Sequence, residues 1–554
     1  MTPTEPKQSP TEPISTPTEP EKSPTEPKTS PTEPRFQSTE PTVNDARSLS
    51  DLLAPLTSVT DRGLACGDTT VSWRDHLRDA SARGAAIRGL LDPARPLHVG
   101  VALPNSIEYC ALLAAAVLEG FVVVGLNTTR RGEALARDVA TADCQLILVD
   151  DSTADLFDGL DLPAPILDIN GARWTELVAA QPIPDEVVVP RRDPDDLVML
   201  IFTSGTTGSP KAVRCSHRKF AAPGVMLAQR FGMGPTDVVY LSMPLFHSNA
   251  TIAGWAVALA ARASVALRPS FSARGFIADL HRYRVTYANY VGKPLHYVLA
   301  VPPADEDADC SLRIMYGNEA SAADRAAFAQ RFGCTVIDGF GSTESGVAIS
   351  RTPDTPADAL GPLVAPVAVV DPETLEPLPP GEVGEIVNTS GPGLFDGYYG
   401  DDEATAERLR GGVYRTGDLG WVGDDGYIRF AGRLGDWARV DGENLGTAPI
   451  EAILLRHPAI AQAAVYGVPV EIGDELWAAL VAPGLTPDDL TDFLAAQSDL
   501  GPKQWPSHIR LVESLPQTAT FKTVRSSLRE EQSPPDWSRV DNRYTSRQKL
   551  PVQP

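Results

Sequence analysis

From Leu49 onward, short apolar runs alternate with longer stretches in which apolar residues recur every three or four positions. That alternation is the signature of α/β units built on largely parallel sheets, because a strand buried on both faces reads as a continuous apolar run and the covering helix reads with a helical period. The pattern predicts a strand over 98–103, a helix over 106–118, a strand over 121–126, a helix over 132–142 and a strand over 145–150. From about Pro362 to Phe430 the texture changes to Gly, Pro and β-branched residues at short spacing, which predicts an antiparallel, barrel-like subdomain with turns at its Gly-Tyr-Tyr and Asp-Gly-Tyr sequences. After Gly432 a compact α+β pattern follows: helix 448–456, strand 461–468, strand 476–482 and helix 490–496, with a domain boundary expected near Asp436.

The first 41 residues behave differently, with Pro-Thr-Glu-Pro beginning at residues 3, 10, 17, 24 and 31 and Ser-Thr-Glu-Pro at 38. The seven-residue period has no apolar seam, and two prolines in each full repeat forbid a helix, so residues 1–46 are expected to be an extended, solvated tail. The expected organisation is therefore this tail, an N-terminal domain over 47–435, a small mobile C-terminal domain over 436–530 and a second tail over 531–554.

Composition narrows the class. The chain has 554 residues, 42% apolar and 22% charged, enough for two or more folded domains. Its formal charge of -24 repels polyanions, and no Lys/Arg-dense run appears, which speaks against a nucleic-acid partner. Six cysteines, Cys66, Cys110, Cys144, Cys215, Cys310 and Cys334, show no CxxC spacing, which fits neither a metal knuckle nor a disulfide framework and suits a reducing cytoplasm. The N-terminus lacks the basic-then-apolar order of a signal peptide. The longest uncharged stretch, 238–261, carries Pro244, His247, Ser248 and Asn249 near its middle and reads as strand, loop and helix; membrane association is expected to be peripheral at most.

One loop invites phosphate. Residues 199–213 run from an apolar strand into Thr203, Ser204, Gly205, Thr206, Thr207 and Gly208, ending at Lys211. Glycines let backbone N–H groups approach an anion, hydroxyls add donors and the lysine adds charge, although the spacing is not that of a Walker A loop. Four further segments accompany it: Gly339-Phe340-Gly341-Ser342-Thr343-Glu344-Ser345-Gly346; Tyr414-Arg-Thr-Gly-Asp418; Gly432-Arg433-Leu-Gly-Asp436; and Leu515-Pro-Gln-Thr-Ala-Thr-Phe-Lys522.

In this order and at this spread, the five segments resemble the acyl-adenylate-forming superfamily of acyl-CoA synthetases, luciferases and peptide-synthetase adenylation domains, from about Asp51 to Leu528. Pro244-Leu-Phe-His-Ser-Asn249, Tyr290-Val-Gly292, Tyr316-Gly317-Asn318 and Gly435–Asn444 with Thr520-Phe-Lys522 look most like its very-long-chain acyl-CoA synthetase and fatty-acid-transport-protein branch, particularly actinobacterial FadD-type enzymes. The resemblance implies ATP, Mg2+ and coenzyme A as reactants or cofactor and a hydrophobic carboxylic acid as substrate.

It further implies that Phe340 stacks on adenine between Gly339 and Gly341, that Asp418 holds the ribose hydroxyls and that Arg433 holds the ribose–phosphate region. Ser342 belongs to the nucleotide site, Thr343 and Glu344 are catalytic with Glu344 on Mg2+, and Lys522 is the catalytic lysine. Asp436 becomes the hinge, Gly442 lines the pantetheine passage, and His247, Tyr290, Gly292 and Gly317 form the acyl side. An aromatic face for a purine and a carboxylate for a vicinal diol are independently sound chemistry. Phe521 stands where the superfamily commonly has Gly, and Gly435 where a basic residue is frequent. His217, near the phosphate loop, is read as a surface or helix-start residue, because an ionised carboxylate needs no general base. The expected product is an acyl-CoA, from a long-chain fatty acid or a bulky acid such as a steroid side-chain carboxylate. An acyl-AMP ligase serving a carrier protein and a non-enzymatic fatty-acid uptake or binding protein are the competing readings. The sequence leaves room for a homo-oligomer.

Overall fold

The computed structural model describes residues 46–203, 210–434, 437–440, 443–470, 474–498, 500–517, 523–531 and 533–546. The repeat segment, Ser204–Gly208, Asp436, Gly442 and Lys522 lie outside them.

The N-terminal part is built on two large sheets. In the six-stranded sheet, Ile166–Asp168, Leu146–Val149, His98–Ala102, Val122–Gly125 and Leu197–Thr203 run parallel, and Lys211–Ser216 pairs antiparallel with the last of them. The His98, Val122 and Leu146 strands are buried throughout, which is why their sequences are uninterrupted apolar runs. The helix Ile107–Glu119 fits between layers: Tyr109 through Leu118 are all buried, Ser106 caps its start, and Gly120 ends it in the left-handed region at φ 72°.

The eight-stranded sheet runs in the spatial order Ala348–Ser350, Thr335–Gly341, Ile314–Asn318, Tyr287–Val291, Val238–Leu241, Ser264–Leu267, Gly63–Cys66 and Thr69–Ser72. It is parallel through the middle and antiparallel at both edges. The uncharged stretch 238–261 resolves into the strand Val238–Leu241, a loop and a helical segment from Ser248, with a π-helical turn at Thr251–Trp255. Most of its apolar side chains lie in the core shared by both sheets, while Tyr240 belongs to a second cluster with Phe276 and Leu280. No helix among the described residues is long and apolar enough to cross a membrane.

The Gly- and Pro-rich region forms an antiparallel five-stranded sheet in the order Gly361–Pro362, Tyr427–Arg433, Tyr414–Val422, Gly384–Asn388, Val367–Val370. Beyond Arg433 come the ribbon Trp437–Val440 with Glu443–Gly446, the helix Thr447–Leu454 and a second hydrophobic core that includes Ile450, Leu454, Leu480, Leu490 and Leu494. A core of its own marks this as a separate small domain, with the changeover between Arg433 and Trp437.

The sheet of that domain corrects the expected boundary at residue 530. Its strands are Gln462–Pro469, Asp474–Val481, His508–Leu511, Trp537–Val540 and Arg543–Ser546. The last two lie in the stretch expected to be a tail. Trp537 and Tyr544 are buried in the small domain's core, and the Tyr544 hydroxyl donates to the Pro506 carbonyl at 2.7 Å.

Candidate active site

The strand Leu197–Thr203 leads into the predicted phosphate loop and the strand that begins at Lys211 leads out, with Thr203 paired opposite Lys211. The outgoing strand is stitched to Gly397-Tyr398-Tyr399: Arg214 N–H donates to the Gly397 carbonyl at 3.0 Å, and Tyr399 N–H to the Ala212 carbonyl at 2.8 Å. This brings the Tyr398 ring beneath Lys211, whose ammonium sits 5.2 Å from the ring centroid.

The Tyr398 hydroxyl donates to Glu344 Oε1 at 3.0 Å. Arg408 Nε donates to the same hydroxyl at 3.2 Å, and its Nη1 donates to the carbonyls of Arg415 at 3.0 Å and Thr416 at 2.6 Å. Glu344 is buried. Burial raises its proton affinity, but the Arg408 charge, its own backbone, Ser342 and Tyr398 together outweigh that and hold the carboxyl below the usual glutamate value. Gly346 is required here, since a Cβ would lie 2.3 Å from the Tyr414 ring. Thr343 meets Ser248, their hydroxyl oxygens 3.1 Å apart, and so joins the Glu344 loop to the His247 segment.

Phe340 is the penultimate residue of the strand Thr335–Gly341, its ring centroid 6.2 Å from that of Phe430. Gly339 cannot carry a side chain because a Cβ would stand 2.6 Å from the Tyr316 hydroxyl oxygen. Asp418 and Arg433 face each other across adjacent strands, and Arg433 Nε donates to Asp418 Oδ1 at 3.1 Å. The turn before Asp418 is clamped by the buried Glu385, which accepts from Gly417 N–H at 2.8 Å and from Arg415 Nε at 2.7 Å. Gly417 takes a positive φ of 71° there.

On the expected acyl side, the His247 ring packs 4.6 Å from that of Phe246. Asn249 Nδ2 donates to the Tyr290 carbonyl at 3.0 Å, tying this segment to the strand that ends before Gly292. Tyr290 itself is fully buried and its hydroxyl donates to Asp338, which also accepts from Arg325 Nη1 at 2.8 Å. The Tyr290 hydroxyl is thus engaged in the Asp338–Arg325 pair. Gly317 is required beside Tyr290: a Cβ there would lie 2.2 Å from the Tyr290 carbonyl oxygen. Gly292 turns the chain at φ 60° and donates to the Asn318 carbonyl at 2.7 Å.

His217 starts the helix His217–Arg230 but is buried rather than at the surface, and burial lowers its pKa to about 4. Tyr398, Arg408, Glu385 and Asp338 were given no role from the sequence, and Ser248 appeared there only as part of the Pro244–Asn249 passage. Gly397-Tyr398-Tyr399 was legible only as a turn, and nothing local marks Arg408.

Lys211 at the start of its strand, Phe340, Thr343 and Glu344 at and just after the strand Thr335–Gly341, Asp418 within Tyr414–Val422 and Arg433 at the end of Tyr427–Arg433 are linked through Tyr398, Arg408 and the Phe340–Phe430 contact. Among the described residues there is no cluster of three or more metal-ligating side chains. One ionised, buried carboxylate linked to Lys211 through Tyr398 suits Mg2+, which takes one or two carboxylates and fills its remaining positions with phosphate oxygens and water.

The family pattern of the AMP-binding enzymes matches residues 57–399, and that of the AMP-binding enzyme C-terminal domain matches residues 449–522. The chain belongs to the AMP-binding enzyme family. It is 55% identical over 487 residues to the medium/long-chain-fatty-acid–CoA ligase FadD17 of Mycobacterium tuberculosis, covering 87% of this chain and 96% of that one. It is 40% identical over 481 residues to the steroid-22-oyl-CoA synthetase of Rhodococcus jostii, covering 83% and 86%. Among solved structures, ATP-bound MatB from Rhodopseudomonas palustris superposes with a TM-score of 0.76 at 25% identity, covering 87% of this chain and 98% of that one. Within the family the chain is an ATP-dependent, AMP-forming acid–thiol ligase.

Proposed function

We propose that the chain activates a medium- or long-chain fatty acid as its acyl-adenylate and transfers the acyl group to coenzyme A. The observation that carries this reading is the Glu344–Tyr398–Arg408 network, which joins the carboxylate and Lys211 to the strand bearing Asp418. A triphosphate in the Lys211 loop and a ribose on Asp418 would then belong to one nucleotide.

In the first half-reaction an oxygen of the substrate carboxylate attacks the α-phosphorus of ATP and the bond to the β-phosphate oxygen breaks, releasing pyrophosphate. Phe340 offers a face for the adenine, Asp418 accepts from the ribose hydroxyls, and Arg433 orients Asp418. Thr203, Ser204, Gly205, Thr206, Thr207, Gly208 and Lys211 cradle the β- and γ-phosphates, and Ser342 and Thr343 close the loop over them. Mg2+ bound at Glu344 would neutralise triphosphate charge. Lys522 stabilises the charge that spreads over the equatorial oxygens in the transition state. In the second half-reaction the CoA sulfur attacks the acyl carbonyl carbon, the carbon–oxygen bond to AMP breaks, and the thiol proton passes to solvent. The small domain turns about Asp436 between the halves, withdrawing Lys522 and presenting Gly442 to the pantetheine arm.

The acyl chain enters past His247, Gly292 and Gly317. Identity of 55% to a medium/long-chain fatty-acid ligase against 40% to a steroid-acid ligase favours a flexible chain. The test is pyrophosphate release with ATP and CoA across octanoate to stearate and a steroid C22 acid. The fatty acids should give the higher kcat/KM, and preference for the steroid acid would overturn the assignment.

A further inference from the structure

The loop that turns at Gly292 continues directly into a contact with the small domain. Lys293, the next residue, precedes the helix Pro294–Leu299, and its ammonium donates to Gln462 Oε1 at 2.8 Å. Gln462 begins the first strand of the small domain's sheet. Behind it Glu451 accepts from Val465 N–H at 2.7 Å and from Arg525 Nη2 at 2.7 Å, and it attracts the Lys293 charge. One turn further along the helix, the Tyr297 hydroxyl donates to Gln517 Oε1 at 3.4 Å. Gln517 pairs with Thr523 in an isolated antiparallel bridge, and these two residues bracket Lys522.

Lys293, just before this short helix, and Tyr297 within it thus hold two separate elements of the small domain, one of them an end of the segment that carries Lys522. The same helix is anchored at its start by the Gly292–Asn318 hydrogen bond on the acyl side. A lysine in this position is costly to place, because burial works against its charged form, and burial indeed lowers its pKa to about 8. Retaining a half-buried ammonium at a contact between domains is explained if the contact is used.

We propose that Lys293 and Tyr297 form a latch that holds the small domain in the orientation for adenylation, and that they couple this orientation to the acyl loop at Gly292. They are positioning residues, acting through the small domain and touching no reacting atom. The proposal rests on the reading that one chain performs adenylation and thioester formation with different placements of the small domain. Adenylation needs the latch closed, and thioester formation needs it open.

The experiment measures the half-reactions separately, as acid-dependent pyrophosphate release in single turnover without CoA and as thioester formation from synthetic acyl-AMP plus CoA. Lys293→Met should slow adenylation about 10-fold, as expected for loss of a hydrogen bond to a charged group, and leave thioester formation equal to or faster than wild type. Gln462→Glu replaces the bond with an ion pair, and should slow thioester formation while sparing adenylation. The double variant Lys293→Met/Gln462→Glu should lose that second effect. Tyr297→Phe should act like Lys293→Met. Thermal melts like that of wild type exclude misfolding as the cause. Equal slowing of both half-reactions by Lys293→Met, or no effect of Gln462→Glu on thioester formation, overturns the latch. Absence of both half-reactions in the wild-type chain would instead overturn the functional reading beneath it.

Discussion

Glu344 is held as a carboxylate by the Arg408 charge together with hydrogen bonds from its own backbone, Ser342 and Tyr398. Tyr398 supplies its bond through the hydroxyl, and Arg408 orients that hydroxyl while binding the carbonyls of Arg415 and Thr416. Removing the hydroxyl with Tyr398→Phe leaves a carboxylate oxygen short of one donor without creating a large cavity. The expected outcome is a several-fold higher Mg2+ requirement, read by titrating Mg2+ at saturating ATP, with kcat largely restored at high Mg2+. A second residue-scale expectation concerns His76 and His217, whose pKa values burial lowers to about 3 and about 4 from the ordinary 6.5. The unfolded chain takes up protons below pH 6.5 that the folded chain refuses, so their contribution to stability is complete above 6.5 and declines as pH falls toward 4. Melting temperatures measured from pH 7.5 to pH 5 should fall, and His217→Gln should make that fall shallower.

At the scale of elements, the hairpin Trp537–Val540 with Arg543–Ser546 completes the small domain's sheet. Trp537 is buried in the small domain's core and pairs with Ile509 across adjacent strands, so Trp537→Ala should cost about 3–5 kcal/mol in urea unfolding of that domain. Deleting residues 532–554 should remove thioester synthesis altogether. This hairpin also marks a limit of reading from sequence. The first α/β series was legible to within a residue or two because its strands are buried on both faces and its helices carry clear periods: the strand read as 98–103 is His98–Ala102 and the helix read as 106–118 is Ile107–Glu119. The hairpin has only Trp537 and Tyr544 facing the core, with charged and hydroxyl residues between. The signal available was Asp541-Asn542, a two-residue turn with φ values of 49° and 60°, the type I′ geometry that joins tightly paired strands. The nucleotide motifs were legible because each is a local string. Arg408 and Glu385 were not, because they act on the site from other strands and helices, and only the fold brings them there.

For the molecule as a whole, the main core lies in the part that matches the AMP-binding pattern, and a separate core belongs to the C-terminal domain in whose sequence Lys522 falls. Such a division makes sense if adenylation and thioester formation share one acyl group but require different faces of the small domain. The central claim is that an acyl-adenylate forms first, reversibly and without CoA. It is tested most directly by acid-dependent exchange of labelled pyrophosphate into ATP, comparing wild type with Lys522→Ala. The expected result is exchange with palmitate and no CoA present, reduced about 100-fold or more in the variant, while the variant still converts synthetic palmitoyl-AMP and CoA to palmitoyl-CoA. No acid-dependent exchange by folded wild-type protein across the fatty and steroid acids, or undiminished exchange in Lys522→Ala, would contradict it.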